Sequence, residues 1–193
     1  MWFIGHMRNL VGMGRTKLPK YAERGKWDFK GADIKEYTHC FHIYPAMMIP
    51  QIARELIKRY GKKGGLLFDP YSGSGTSLVE GRIAGMNVIG TDLNPTARLI
   101  STAKTRDYNI KTLTKITEKF LNAIEEDIDS VSDYKRFNQP EYVTWERLED
   151  WFPTKTIGQI SFALELIETI QYKTGQLFLK VALSECLRLV SYQ

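Results

Sequence analysis

The sequence predicts an α/β fold, and three observations within one stretch predict it. Leu66-Leu67-Phe68 is a short apolar run of the kind a buried parallel strand carries. Asp69-Pro70 ends the run, and Gly73 and Gly75 follow where a tight turn can bring backbone close to a ligand. Thr76 or Ser77 suits a helix N-cap, the helix closes near Gly85, and Val88-Ile89-Gly90 makes a second strand with Asp92 at its carboxyl end. Strand, glycine turn, helix, strand and acid form half of a nucleotide-binding α/β unit.

Three cofactor classes compete for such a unit. A phosphate-gripping loop needs G-x-x-x-x-G-K-[ST], and no lysine lies between Gly65 and Arg82. A dinucleotide fingerprint needs a third glycine where the chain has Leu78. S-adenosylmethionine fits better, because it has no phosphate to cradle. Asp69 can help position its amino-acid moiety, and Asp92 can accept hydrogen bonds from its ribose diol. The plain alternative is a glycine turn in an unrelated α/β fold.

The wording of the motifs narrows the choice. Asp69-Pro70-Tyr71-Ser72-Gly73-Ser74-Gly75-Thr76 resembles the D-P-[FY]-x-G-S-G-T motif of the DNA amino-methyltransferases, which make N6-methyladenine or N4-methylcytosine. Gly90-Thr91-Asp92-Leu93-Asn94-Pro95 resembles the segment that follows it in that family. Upstream, Phe41-His42-Ile43-Tyr44-Pro45-Ala46-Met47-Met48-Ile49-Pro50 resembles the family's other cofactor motif. The resemblance implies a Rossmann-like S-adenosylmethionine-dependent methyltransferase fold. It implies cofactor contacts at His42, Tyr44, Pro45, Ala46, Asp69, Pro70, Tyr71, Gly73, Ser74, Gly75, Thr76, Asp92, Leu93 and Asn94. DNA is the implied substrate, and the upstream motif leans toward cytosine N4 as the target.

Composition sets outer bounds. At 193 residues, with 43% hydrophobic and 25% charged content, the chain can bury a sizeable core. Cys40 and Cys186 lie far apart, which suggests neither a disulfide framework nor a zinc site, and a cytoplasmic setting is expected. The net charge of +5 is uneven. Residues 1–63 hold 13 Lys/Arg against 5 Asp/Glu, whereas residues 64–193 hold 14 against 17. A basic arm over 1–40, with Trp2, Trp27, Phe29 and Tyr37 interleaved, can track a phosphate backbone or can simply be solvated. Residues 41–193 form the cofactor-binding portion.

The remaining elements follow from periodicity and punctuation. Tyr44-Pro45-Ala46 predicts a turn, and Pro50 a helix start running to Tyr60. A helix spans Pro95 to Ala103, and a longer amphipathic one spans Lys111 to Ser130. Tyr142-Val143-Thr144-Trp145 reads as a short strand, and Trp151-Phe152-Pro153 as a base platform or, more commonly, an aromatic plug. Ile157 to Tyr172 is helical, Gly175 breaks the pattern, and Leu177 to Val190 is apolar nearly all round. His39 and His42 read as packed or hydrogen-bonding residues, so neither is given a proton transfer.

One expected element does not occur. The family's catalytic loop, [DNS]-P-P-[YFW], holds the target amine of a flipped base, and this chain contains no Pro-Pro pair. No catalytic residue is therefore assigned, and the first strand is expected to lack a neighbour on one edge. The reading that follows is the cofactor-binding part of a split DNA amino-methyltransferase of a restriction-modification system. A second polypeptide, or the missing part of the same enzyme, supplies the loop. The alternatives are a fragment of an RNA guanine N2-methyltransferase, which shares the D-P-x-x-G-S-G-T wording, and a non-catalytic cofactor-sensing or DNA-binding module.

Overall fold

A computed structural model describes residues 27, 29–130 and 145–192 of the chain. Most of the predicted basic arm, and residues 142–144 of the predicted strand, lie outside the described residues. Trp145 begins a 3-10 helix, Trp145–Asp150, rather than ending a strand. The chain divides into two compact units, which part between Asp107 and Tyr108.

The first unit holds the α/β elements. A 3-10 helix, Tyr37–Phe41, precedes α1, Pro50–Tyr60. Pro50 opens α1 because its fixed φ is already helical and its missing N–H needs no partner there. Then come β1, Leu66–Asp69, α2, Thr76–Ile83, β2, Asn87–Gly90, and α3, Pro95–Thr105. β1 and β2 pair in parallel with Leu66 opposite Asn87 and Asp69 opposite Gly90. Parallel pairing requires a crossover, and α2 supplies it. The fold is α/β with a two-stranded parallel sheet among the described residues.

Among the described residues, only one face of that sheet is covered. Leu67 and Val88 point at α2, where Gly81 permits the approach: a Cβ there would stand 2.8 Å from Val88 Cγ1 and 3.3 Å from Leu67 Cδ1. On the other face Leu66 is 61% exposed, Phe68 59% and Ile89 50%. The expectation of a buried strand is corrected here. An apolar run marks residues that can be buried on both faces, but covering the second face needs a layer that these elements do not provide. β1 also has β2 as its single strand partner among the described residues.

The second unit is helical. It comprises α4, Ile110–Asp127, α5, Thr154–Glu168, and α6, Lys173–Val190, with short 3-10 segments at Ile128–Ser130 and Trp145–Asp150. Asn109 caps α4 by accepting the Thr112 N–H at 3.1 Å. Leu113, Thr117, Phe120, Leu121 and Ile124 form its buried stripe at helical spacing. α6 buries Phe178, Leu179, Val181, Ala182, Leu183 and Cys186, more than one side of a helix, as its apolar composition predicts. Two expectations fail nearby. Gly175 breaks nothing; it lies in the first turn of α6, where a Cβ would stand 2.8 Å from Tyr172 Cδ1. The break falls instead after Glu168, where α5 ends.

Candidate functional site

A cleft forms at the carboxyl ends of β1 and β2, and its first wall is the glycine turn. Asp69 staples that turn to the strand. Its Oδ1 accepts the Tyr71 N–H at 3.0 Å, and its Oδ2 accepts the Ser77 hydroxyl in the first turn of α2. Ser72 N–H donates to the Thr91 carbonyl at 2.9 Å, and the Thr91 hydroxyl donates to the Pro70 carbonyl at 2.9 Å. The loops after the two strands are thereby tied together. Asp92 adds a third tie, accepting Gly73 N–H at 2.8 Å on Oδ2 and Asn94 N–H at 2.9 Å on Oδ1. A carboxylate offers about four acceptor sites, so both acids retain capacity for a ligand.

Gly75, not Thr76 or Ser77, is the N-cap of α2, with φ +85°. That left-handed conformation disfavours a Cβ, and here a Cβ would also stand 2.8 Å from Ser101 Cβ. The side-chain cap expected from the sequence is replaced by a backbone turn, and the Ser77 hydroxyl serves Asp69 instead.

The second wall comes from the segment upstream of α1. Tyr44-Pro45-Ala46 forms the expected turn, with Ala46 at φ +54°, a conformation costly for a residue that carries a Cβ. Asn94 Nδ2 donates to the Tyr44 hydroxyl at 3.0 Å, joining this wall to the loop after β2. The cleft between the walls is partly open to solvent and has a cavity volume of about 160 Å³.

Eight predicted residues line it: Tyr44, Pro45, Ala46, Asp69, Tyr71, Gly73, Ser74 and Thr76. Met47, Met48, Ser72 and Ser77 line it as well and were not singled out. Their signal was position alone, since each lies within a quoted motif or directly beside one. Six predicted residues do not line the cleft. Asp92 meets it through the Gly73 N–H, and Asn94 through Tyr44. Pro70 and Gly75 shape the turn behind it. Leu93 is 98% exposed. His42 is buried, with Nδ1 2.7 Å from the Ile43 carbonyl, a contact in which the ring donates.

Behind both walls lies a buried charged cluster that the sequence reading missed. Glu80 of α2 accepts Arg54 Nε at 2.6 Å, Arg54 Nη2 at 2.7 Å and His39 Nε2 at 2.9 Å. Arg54 Nη1 reaches Glu36 Oε2 at 2.9 Å. Burial favours the protonated form of Glu80, but the hydrogen bonds from Arg54 and His39 outweigh it and hold the carboxyl below its usual range. The reading of His39 as a hydrogen-bonding residue holds. A signal for the cluster existed: Glu80 follows Leu78-Val79 and precedes Gly81 on a helix packed against a sheet, and an acid there needs a partner.

Residues 13–103, a span that holds both walls of the cleft, match the DNA methylase family. This segment is similar to that family. The resemblance read from the three motifs is thus borne out. Two curated proteins are similar to the chain as well. The type II methyltransferase M.MvaI of Kocuria varians is 37% identical over 171 residues, which cover 84% of this chain and 36% of that protein. The type II methyltransferase M.MjaII of Methanocaldococcus jannaschii is 36% identical over 98 residues, covering 51% of this chain and 18% of that protein. The chain therefore spans about a third or less of the length of these relatives. No solved structure matches it.

Among the described residues, no group of three potential ligands could hold a metal ion, and no helix is long and apolar enough to cross a membrane.

Proposed function

We propose that this chain is the cofactor-binding part of a DNA amino-methyltransferase with a Rossmann-like methyltransferase fold, and that S-adenosylmethionine occupies the cleft between residues 44–48 and 69–77. The observation that carries this reading is the meeting of two motifs, Phe41–Pro50 and Asp69–Thr76, around one cleft. The lining chemistry fits the cofactor. Two aromatic rings, two thioethers, a carboxylate and the Gly73 backbone suit a ligand that joins a cationic sulfonium to an amino acid and a nucleoside. Gly73 contributes a cradle, because a Cβ there would project toward the Tyr44 ring at 3.9 Å.

S-adenosylmethionine supplies a methyl group already activated on sulfur, so the protein's task is positioning and electrostatics. Asp69 and Tyr71 would orient the amino-acid end. Asp92 would accept from the ribose, while its bond to Gly73 N–H keeps the turn in place. His42, Pro45, Ala46, Leu93 and Asn94 complete the assigned set. No residue of this chain is assigned to hold the target amine. A second polypeptide, or a further part of the same enzyme, would bring the [DNS]-P-P-[YFW] loop and most of the base recognition. Residues 1–40 would act as a basic arm on DNA, residues 41–193 would form the methyltransferase portion, and the enzyme would work in the cytoplasm within a restriction-modification system.

A tritiated-methyl transfer assay on DNA tests the reading. The chain alone should bind S-adenosylmethionine and transfer nothing, and adding the polypeptide that carries the Pro-Pro loop should restore transfer. Methylation by the chain alone would overturn the division of labour. Absence of cofactor binding by either preparation would overturn the assignment of the cleft.

A further inference from the structure

The two walls of the cleft come from separate stretches of chain, and one buried side chain is fastened to the supports of both. We propose that Glu80 is a positioning residue that holds the wall at residues 44–48 against the glycine-turn wall. It stands on α2, five residues after Gly75, and its side chain is 1% exposed. Arg54 grips it with a two-point fork from α1, the helix that leaves the upstream wall. His39 reaches it from the 3-10 helix that enters the same wall five residues before Tyr44. Both ends of the upstream segment are thus anchored on one carboxylate.

Stability alone does not account for the arrangement. Buried ion pairs can often be replaced by well-packed apolar residues at no loss of stability, because desolvation cancels much of the attraction. What such a cluster adds is direction: forked, charged hydrogen bonds hold in one geometry, whereas apolar contacts tolerate sliding. The direction matters at this place because other bonds of the upstream segment run to the loop after β2 and to α3: Asn94 Nδ2 donates to the Tyr44 hydroxyl, Lys104 Nζ to the His42 carbonyl and the Thr38 hydroxyl to the Lys104 carbonyl. Loss of Glu80 should let the upstream wall drift while β1, β2 and the turn stay formed.

The test rests partly on the proposed cofactor reading, so it uses one readout that needs no ligand. Cys40, half-buried beside His39, donates its thiol to the Tyr37 carbonyl at 3.2 Å and reports on the 3-10 helix. Its labelling by an aromatic disulfide reagent is followed in the wild type, Glu80→Gln and Ile100→Val, with buried Cys186 as the internal reference. Ile100 is buried on α3 and is not one of the cluster's four side chains, so it serves as a control that loses stability with the cluster's groups intact. Affinity for S-adenosylhomocysteine is measured by calorimetry on the same three proteins.

Glu80→Gln should label Cys40 about tenfold faster and bind the ligand about tenfold more weakly, the effect of removing one charged hydrogen bond. Ile100→Val should do neither. Equal Cys40 rates in the two variants, or unchanged affinity in Glu80→Gln, would overturn the proposal. If even the wild type binds no ligand while Glu80→Gln still frees Cys40, the cofactor reading fails and the clamp stands. Arg54→Lys keeps the charge but loses the fork, and should shift both readouts in the same direction if Glu80→Gln does not fold.

Discussion

Alanine at Gly75 meets two separate penalties, and a second glycine allows them to be told apart. Gly75 has φ +85° and would place a Cβ 2.8 Å from Ser101 Cβ and 3.1 Å from Ser101 Cα. Gly64 has φ +77°, and nothing lies within 4 Å of its would-be Cβ. Left-handed backbone costs an alanine about 1–2 kcal/mol at either site. Overpacking against the α3 backbone adds about 1–3 kcal/mol at Gly75 alone. Gly64→Ala should therefore lose about 1–2 kcal/mol and Gly75→Ala about 2–5 kcal/mol. Urea denaturation followed by circular dichroism measures both, with the midpoints compared at a shared slope. Equal losses would show that α3 is not packed against the turn as described, and would remove the steric argument for glycine there.

Three further outcomes are expected. Asp92→Ala removes the acceptor of the Gly73 and Asn94 N–H groups, and should weaken S-adenosylmethionine binding by about 1.5–3 kcal/mol by calorimetry; unchanged affinity would contradict the site. Because the Glu80 carboxyl is held below its usual range, it stabilises the fold above its unfolded-state pKa and loses that contribution as pH falls through the folded value. Stability of the wild type should then drop more steeply than that of Glu80→Gln between about pH 5 and pH 3 in stepped urea melts, and parallel curves would count against the cluster. Deleting residues 1–35 removes 8 Lys/Arg and 3 Asp/Glu, and should make the slope of log DNA affinity against log salt shallower by about 0.9 for each phosphate that the arm neutralises. An identical slope would mean that the arm is only solvated.

Much of the first unit was legible because its signals are local. Leu66-Leu67-Phe68, the glycine pair and Val88-Ile89 each announce an element by composition, and Pro50 and Pro95 each open a helix as expected. What escaped depends on layers. The same apolar run describes a strand covered on two faces or on one, so the exposure of Leu66, Phe68 and Ile89 had no local signature. Gly175 misled because a glycine at a helix start and one at a helix end look alike without the neighbouring ring of Tyr172. The cap at Gly75 was missed for a related reason: Thr76 and Ser77 are good cap residues by type, but Asp69 already engages the Ser77 hydroxyl. The Glu80 cluster escaped because an acid on a helix reads as surface until Arg54 and His39, 26 and 41 residues away, are brought to it.

Photo-crosslinking of radiolabelled S-adenosylmethionine, followed by peptide mapping, tests the central claim most directly. The account predicts label in peptides covering residues 42–48 and 69–77, abolished by excess S-adenosylhomocysteine and strongly reduced in Asp92→Ala. Label confined to α4, α5 or α6, or label that the competitor does not displace, would contradict it.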